Sequence, residues 1–355
     1  MLKPIVAWLN KHFEDTELMM LLAFLLVVFV TLIVFGSALA PLLVAIILAY
    51  VLDGIVNLLV ACKFPRLAAV VVVGFGATVA VLFSLVAILP VLTEQIGLLL
   101  NKLPEYATQF KETILEAQAQ YATVLNPERL QEILVWITGK FQEWGGLLLS
   151  FSLSSIPDLI ALGVYVVLVP VLVFFLLKDK VRIIVWTKQF LPRRRSLLLR
   201  VWEELDSQMG NYIRGRFWES FMVGLVMWIV LYLMGHQYAL LLGVLTGISV
   251  WIPFVGAAVV TIPVVLLSFF QWGWSEMTMY SLLAYAVIQL IDANIVIPWL
   301  FSEVVNLHPI AIIVAVLFFG SIWGVVGVFF AIPLAALVQS VLVIIAERAV
   351  ENVSD

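Results

Sequence analysis

The stretch LMMLLAFLLVVFVTLIVFG, Leu18–Gly36, holds nineteen consecutive residues without a charge. A helix needs about 20 mostly apolar residues to cross a bilayer core of ~30 Å. Comparable runs begin near Leu39, Leu67, Ile156, Phe217, Tyr238, Met277 and Pro309. The chain is therefore read as an all-α, polytopic transmembrane protein with about seven or eight spans. Glu14, Asp15 and Glu17 precede the first run, and no small-residue cleavage site comes after it, so it is read as a retained helix and not a signal peptide. Composition agrees: 64% of the 355 residues are hydrophobic and 12% charged, where a soluble domain carries about 25% charge.

The basic residues orient the runs. All 19 Lys and Arg fall outside them, and ten lie between Lys178 and Arg216. Basic loops stay on the cytoplasmic side, so Ile156–Leu177 runs inward. Thr93–Ser155 is then placed outside, with Lys63, Arg66 and the N-terminus with Lys3 and Lys11 inside. The reading is a multi-pass protein of the bacterial inner membrane, organised as three N-terminal transmembrane helices (1–92), an extracytoplasmic amphipathic segment (93–155), a transmembrane helix with a basic cytoplasmic helix (156–216), and a C-terminal transport core (217–355).

The outer segment has seven acids against four bases. Asn126 and Pro127 can start a helix, after which Leu130, Ile133, Leu134, Ile137, Phe141, Trp144 and Leu148 recur at helical spacing. That face can cover a pore mouth, meet an envelope partner, or simply pack on neighbouring helices. The basic segment Arg193–Arg216, with Trp202, Leu205, Met209, Tyr212 and Ile213 on one side, reads as a helix at the inner surface. Anionic headgroups account for its charge, and no nucleic-acid partner is expected. Cys62, the one cysteine, excludes an internal disulfide and a cysteine metal cluster; it is expected as a small buried apolar residue.

From Phe217 to Ala346 there are 130 residues without Lys or Arg. Two stretches there resemble each other: Ser249-Val-Trp251 with Gly256 and Ile262-Pro263, and Ser321-Ile-Trp323 with Gly327 and Ile332-Pro333. Apolar segments interrupted by Gly and Pro mark broken or re-entrant helices, which survive in lipid only where protein covers them or they line a cavity. Ordinary proline-kinked spans over 238–271 and 309–346 are the alternative.

Ionisable groups inside apolar runs are costly and so are candidates for function. Asp292 lies well inside the run Met277–Leu300, on one helical face with Tyr285, Gln289, Val296 and Trp299. It can bind a proton or cation, or serve as a structural hydrogen-bonding group. Glu219 is expected to snorkel toward water, and Asp53 to sit at the interface near Lys63 and Arg66. Glu303, Asn306, His308 and Pro309 form a polar island that is either a gate or a solvated loop. No nucleotide-binding Gly-x-x-x-x-Gly-Lys, no His-Glu-x-x-His and no Gly-x-Ser-x-Gly occurs. Neither an enzyme, a metal site nor a cofactor is expected.

Several motifs carry a resemblance: Phe175-Leu-Leu-Lys178-Asp179, Asn211-Tyr212-Ile-Arg214-Gly215, Ile252-Pro253-Phe254-Val255-Gly256-Ala257, Gln289-Leu-Ile-Asp292-Ala-Asn294 with Pro298, and Ala331-Ile332-Pro333. By these the chain resembles the autoinducer-2 exporter family of bacterial permeases, and the block Phe301–Pro309 is most similar to its PerM-type branch. The resemblance implies a homo-oligomer, a pentamer, and transport of either a small furanosyl signalling molecule or sodium against protons. Where the family usually has glutamine after Gly215, this chain has Arg216. Three readings are open. The first is a permease exporting a small polar or amphiphilic solute, with Pro253, Gly256, Pro263, Gly327, Pro333 and the helix of Asp292, Gln289, Asn294 and Pro298 lining the path. The second is a sodium/proton antiporter using Asp292. The third is a scaffold for an envelope partner or lipid handling.

Overall fold

In the computed structural model the described residues are 16–120, 139, 156–190, 196–253, 255–301 and 307–354. Among them the chain is helices joined by short turns, without a strand. The order is α1 (Thr16–Ala61), α2 (Arg66–Gln120), α3 (Ile156–Lys178), α4 (Lys180–Phe190), α5 (Ser196–Leu233), α6 (Ala239–Ser249), α7 (Val255–Trp272), α8 (Glu276–Ile291), a π-turn (Asp292–Val296), α9 (Ile297–Phe301) and α10 (Pro309–Ser354). Six segments are long and apolar enough to cross a membrane, and four shorter apolar helices accompany them. The polytopic all-α fold stands, and its spans are less regular than the apolar runs suggest.

The runs beginning near Leu18 and Leu39 join in α1, one helix of 46 residues. Gly36, Ser37 and Pro41 do not break it, because in an apolar setting a carbonyl has no better partner than the next turn of helix. α2 likewise passes positions 92 and 93 without interruption and tolerates Pro90 and Pro104 over 55 residues. The turn between α1 and α2 places Lys63 at φ 68°, with the Phe64 amide donating to the Leu59 carbonyl, a left-handed helix cap. Cys62 is exposed in that turn, not buried as its residue type suggests.

Two of the apolar cores among the described residues hold most of the helices together. Ala45 and Val56 of α1, Ala69, Val70 and Val73 of α2, and Val169, Val173 and Leu177 of α3 form one core. The second joins Val223, Met227 and Leu231 of α5 to Leu242 of α6, Val264 and Phe270 of α7 and Tyr285 of α8, with Leu92–Phe110 of α2 packed against it. Tyr106 of α2 stacks on Phe270 at 4.5 Å and shares a 3.0 Å hydrogen bond with the Tyr238 hydroxyl. Of the segment placed outside the membrane, the described part thus packs on neighbouring helices; Asn126–Leu148, apart from Gly139, lies outside the described residues.

α5 and α6 approach through small residues. Ser220 and Gly224 face Gly243 and Gly247; a Cβ on Gly247 would lie 2.7 Å from the Ser220 carbonyl, and one on Gly224 3.0 Å from that of Gly243. The Ser220 hydroxyl donates to the Gly247 carbonyl at 2.7 Å. This paired small-xxx-small spacing lets backbones close where lipid provides no hydrophobic drive for helix association.

Candidate functional site

The two interrupted stretches are helical hairpins. α6 has 11 residues, about 16 Å at 1.5 Å per residue, which is half a bilayer core. A Cβ on Gly256 would fall 1.8 Å from the Ser249 carbonyl oxygen, whereas seven residues of continuous helix would separate them by about 10 Å. The chain therefore reverses at Val250–Pro253, with the Gly256 amide donating to the Ile252 carbonyl. α10 repeats the device. Gly324 has φ 59° and ψ −135° and divides the arms Pro309–Gly324 and Gly327–Val343; a Cβ on Gly327 would lie 1.9 Å from the Phe319 carbonyl oxygen. Only residues without a Cβ permit these approaches. Trp251, beside the first reversal, stacks on Phe329, beside the second, at 4.2 Å and 14°.

Beside the hairpins lies a buried charge cluster on α5. One guanidinium nitrogen of Arg216 donates to both carboxylate oxygens of Glu219, at 2.9 and 2.8 Å. Arg216 is 8% and Glu219 1% exposed, so Glu219 does not snorkel to water as its place in the sequence suggests. The guanidinium sits over two rings, Phe301 at 5.0 Å and Tyr212 at 5.6 Å. Gly215 makes room for Phe301: a Cβ there would lie 2.7 Å from the ring. Asp292, 6% exposed, interacts electrostatically with both Arg216 and Glu219, and its Oδ1 is buried without a hydrogen-bond partner. One cation thus faces two carboxylates in a site shut from water. Such a pair survives only where charge and hydrogen bonding repay its desolvation.

Asp292 begins the π-turn. The wider turn inserts a residue and rotates the helix beyond it, a feature frequent at functional sites. Of the face expected from 3.6-residue spacing, Tyr285, Gln289 and Val296 stay buried or half-buried, and only Trp299 leaves it. Tyr285 is buried, donating to the Ala257 carbonyl at 2.7 Å, and Gln289 is half-buried. Trp299 is 71% exposed, and Asn294 and Pro298 lie toward the surface too, with the Asn294 amide donating back to the Leu290 carbonyl. Pro253, Gly256, Gly327 and Pro333 are buried and Pro263 half-buried, so they shape the hairpins from within. Ile332, next to Pro333, packs with Val51, Tyr212 and Ile213, and Ser220, next to Glu219, holds the end of α6. Both hairpins therefore bear on the stretch of α5 that carries the cluster. Of the polar island, Glu303 and Asn306 lie outside the described residues. His308 and Pro309 are exposed, with His308 Nδ1 accepting from the Ile310 amide at the start of α10.

Arg216 stands out in the sequence only as a departure from a family pattern, and its place in the site comes from the structure. A signal was nonetheless available: Arg216 and Glu219 are three residues apart, one turn of helix, at the head of an apolar run. At the basic end of the chain Asp53 pairs not with Lys63 or Arg66 but with Lys180, at 3.0 Å. Among the described residues no group of three metal-binding side chains occurs.

A bundle of apolar helices with two interrupted hairpins around a buried charge cluster is the build of a polytopic membrane transporter. Comparison with known proteins gives the family: residues 18–347 match the AI-2E family transporter model, and the chain belongs to that family. It is 38% identical over 344 residues to PerM of Escherichia coli K12, which is named as a permease, covering 96% of this chain and 97% of the relative. YueF of Bacillus subtilis 168, named as a transport protein, is 26% identical and covers 93% and 92%. TqsA of Escherichia coli K12, named as an AI-2 transport protein, is 22% identical and covers 96% and 94%.

Proposed function

We propose that this protein is a homo-oligomeric inner-membrane permease, its N-terminus cytoplasmic, that exports a small polar or amphiphilic solute by secondary transport. The observation that carries the reading is the Arg216–Glu219–Asp292 cluster, buried where both hairpins bear on α5. A guanidinium that spends one nitrogen on Glu219 keeps donors for Asp292. Exchange of Arg216 between the two acids frees one carboxylate in each arrangement, and that exchange is the two-state element of the cycle. The hairpin tips move with it, because Ser220 and Tyr212 of α5 touch the hairpins on either side of Arg216. TqsA is named for AI-2. The arginine at 216, where the family resemblance leads one to expect glutamine, argues for a more acidic solute or a different coupling, so the solute is kept at small and polar.

A second reading, cation or proton antiport, is favoured by one observation: with Arg216 hydrogen-bonded to Glu219, Asp292 Oδ1 is left buried without a hydrogen-bond partner. The surplus carboxylate is an ion site by charge balance. Proteoliposome flux tests both. Sodium-dependent proton movement abolished by Asp292→Asn supports antiport through this residue. Solute efflux that proceeds at the wild-type rate in Asp292→Asn removes the carboxylate-coupled mechanism.

A further inference from the structure

We propose that the open cavity lined by α1, α4 and the start of α5 binds a small zwitterion, a molecule bearing an ammonium group and an anionic oxygen group, either free or as a lipid headgroup. The cavity measures about 450 Å³, within the range of roughly 300–1,000 Å³ of small-molecule sites. Three acids (Asp53, Glu203, Asp206) and three bases (Lys180, Lys188, Arg214) line it. A ligand of one sign would meet as many like charges as opposite ones, and a ligand carrying both signs is the one the lining can satisfy.

The polar atoms are arranged for it. Asp53 is 7% exposed; its Oδ2 holds Lys180 at 3.0 Å, and its Oδ1 is buried with no hydrogen-bond partner. That oxygen lacks the donor that a buried carboxylate oxygen ordinarily has. The Tyr50 hydroxyl donates to Asp206, fixing the second carboxylate. Arg214 gives one nitrogen to the Asn211 side chain at 2.8 Å and keeps further donors for an anionic oxygen. Its position is shaped by two glycines: a Cβ on Gly54 would lie 3.1 Å from the Arg214 Cδ, and one on Gly210 3.3 Å from a terminal nitrogen. Trp202, 48% exposed, stands at the rim, a residue type that favours the headgroup level of a bilayer.

This site is separate from the charge cluster. Arg214 and Arg216 are two residues apart and leave α5 on opposite sides, about 200° around the helix, so the proposal does not rest on the permease reading.

The test is calorimetric titration of the purified full-length chain with O-phosphoethanolamine, and with ethanolamine and inorganic phosphate as its separate halves. The zwitterion is expected to bind at least about tenfold more tightly than either half. Asp53→Asn and Arg214→Gln are each expected to weaken it about tenfold or more, a loss of about 1.4 kcal/mol, while Asp292→Asn binds as wild type. Lys188→Gln, at the rim, gives a third variant should one of the buried changes fail to yield monodisperse protein. Native mass spectrometry from mixed phosphatidylethanolamine and phosphatidylglycerol bilayers then separates the sources. Phosphatidylethanolamine retained by wild type and lost from the variants marks a lipid headgroup; binding of the free compound without retained lipid marks a soluble one. The proposal is overturned if phosphate or ethanolamine alone binds as tightly as the zwitterion. It is equally overturned if all folded cavity variants keep wild-type affinity, or if neither free compound nor lipid is held.

Discussion

Arg216 and Glu219 stack one above the other because residues three apart share a helix face, and burial turns that ordinary pair into a consequential one. Removing one partner of a buried pair leaves an uncompensated charge. Arg216→Gln, which leaves two buried carboxylates without their cation, is expected to cost about 3–5 kcal/mol of stability, seen as a lower unfolding temperature of the purified chain. Replacing the whole cluster, Arg216→Met with Glu219→Leu and Asp292→Asn, is expected to return stability to wild type or above, as apolar substitutes for buried ion pairs commonly do, while transport is lost. A stable and active triple variant would show that the cluster has no part in function. His236 offers a second residue-scale test, outside the spans. Burial without a charged partner pushes its imidazole down to about 4 from 6.5, and it is 4% exposed, with Nδ1 accepting the Tyr238 amide and Nε2 3.4 Å from the Ser268 hydroxyl. The folded state then binds its proton only near pH 4, the unfolded state already near 6.5. Stability is complete above about 6.5 and falls as pH drops toward 4, by up to about 3 kcal/mol. Melting curves of His236→Asn between pH 7.5 and 4 should lose that part of the slope.

At the scale of elements, the hairpins depend on glycines that no larger residue can replace. Gly256→Ala places a methyl 1.8 Å from the Ser249 carbonyl, and Gly327→Ala one 1.9 Å from that of Phe319. Both contacts are with backbone, so neither can be relieved by a side-chain rotation. Each is expected to destabilise by at least the ~1–3 kcal/mol of an overpacked core and to lower the yield of monodisperse protein. Gly76→Ala, within α2 and with nothing within 4 Å of its added carbon, serves as the control; helix propensity favours alanine there by up to about 1 kcal/mol. If all three behave alike, the close approach is not what shapes the hairpins. The π-turn at Asp292 is the element that spacing alone could not reveal. A 3.6-residue wheel is a statement about hydrogen bonds to the fourth carbonyl, and it ceases to hold where the chain bonds to the fifth. Trp299 accordingly leaves the face that its sequence position suggests.

Across the whole molecule the two hairpins are joined by the Trp251–Phe329 stack. A double-mutant cycle with Trp251→Leu and Phe329→Leu is expected to give a coupling energy of about 0.5–1.5 kcal/mol beyond the burial of the rings; additive effects would mean that the hairpins act separately. Much of this architecture was legible beforehand. Apolar length and the scarcity of charge determined by themselves that the chain is a polytopic helical membrane protein, because a helix in lipid must satisfy its backbone internally and cannot carry charge cheaply. The spacing of Gly256 and Gly327 after Trp251 and Trp323 pointed to interrupted helices, and Asp292 stood out by its cost. What tertiary structure alone decided is which charges meet. Glu219 and Arg216 lie near the margin of an apolar run, where sequence permits either exposure or burial; the packing of Phe301, Tyr212 and the α6 glycines around α5 closes them from water. Asp53 finds Lys180, 127 residues away, in preference to the basic residues close to it in sequence. Periodicity is a local property of one helix, whereas the partner of a buried charge is set by which helices pack beside it.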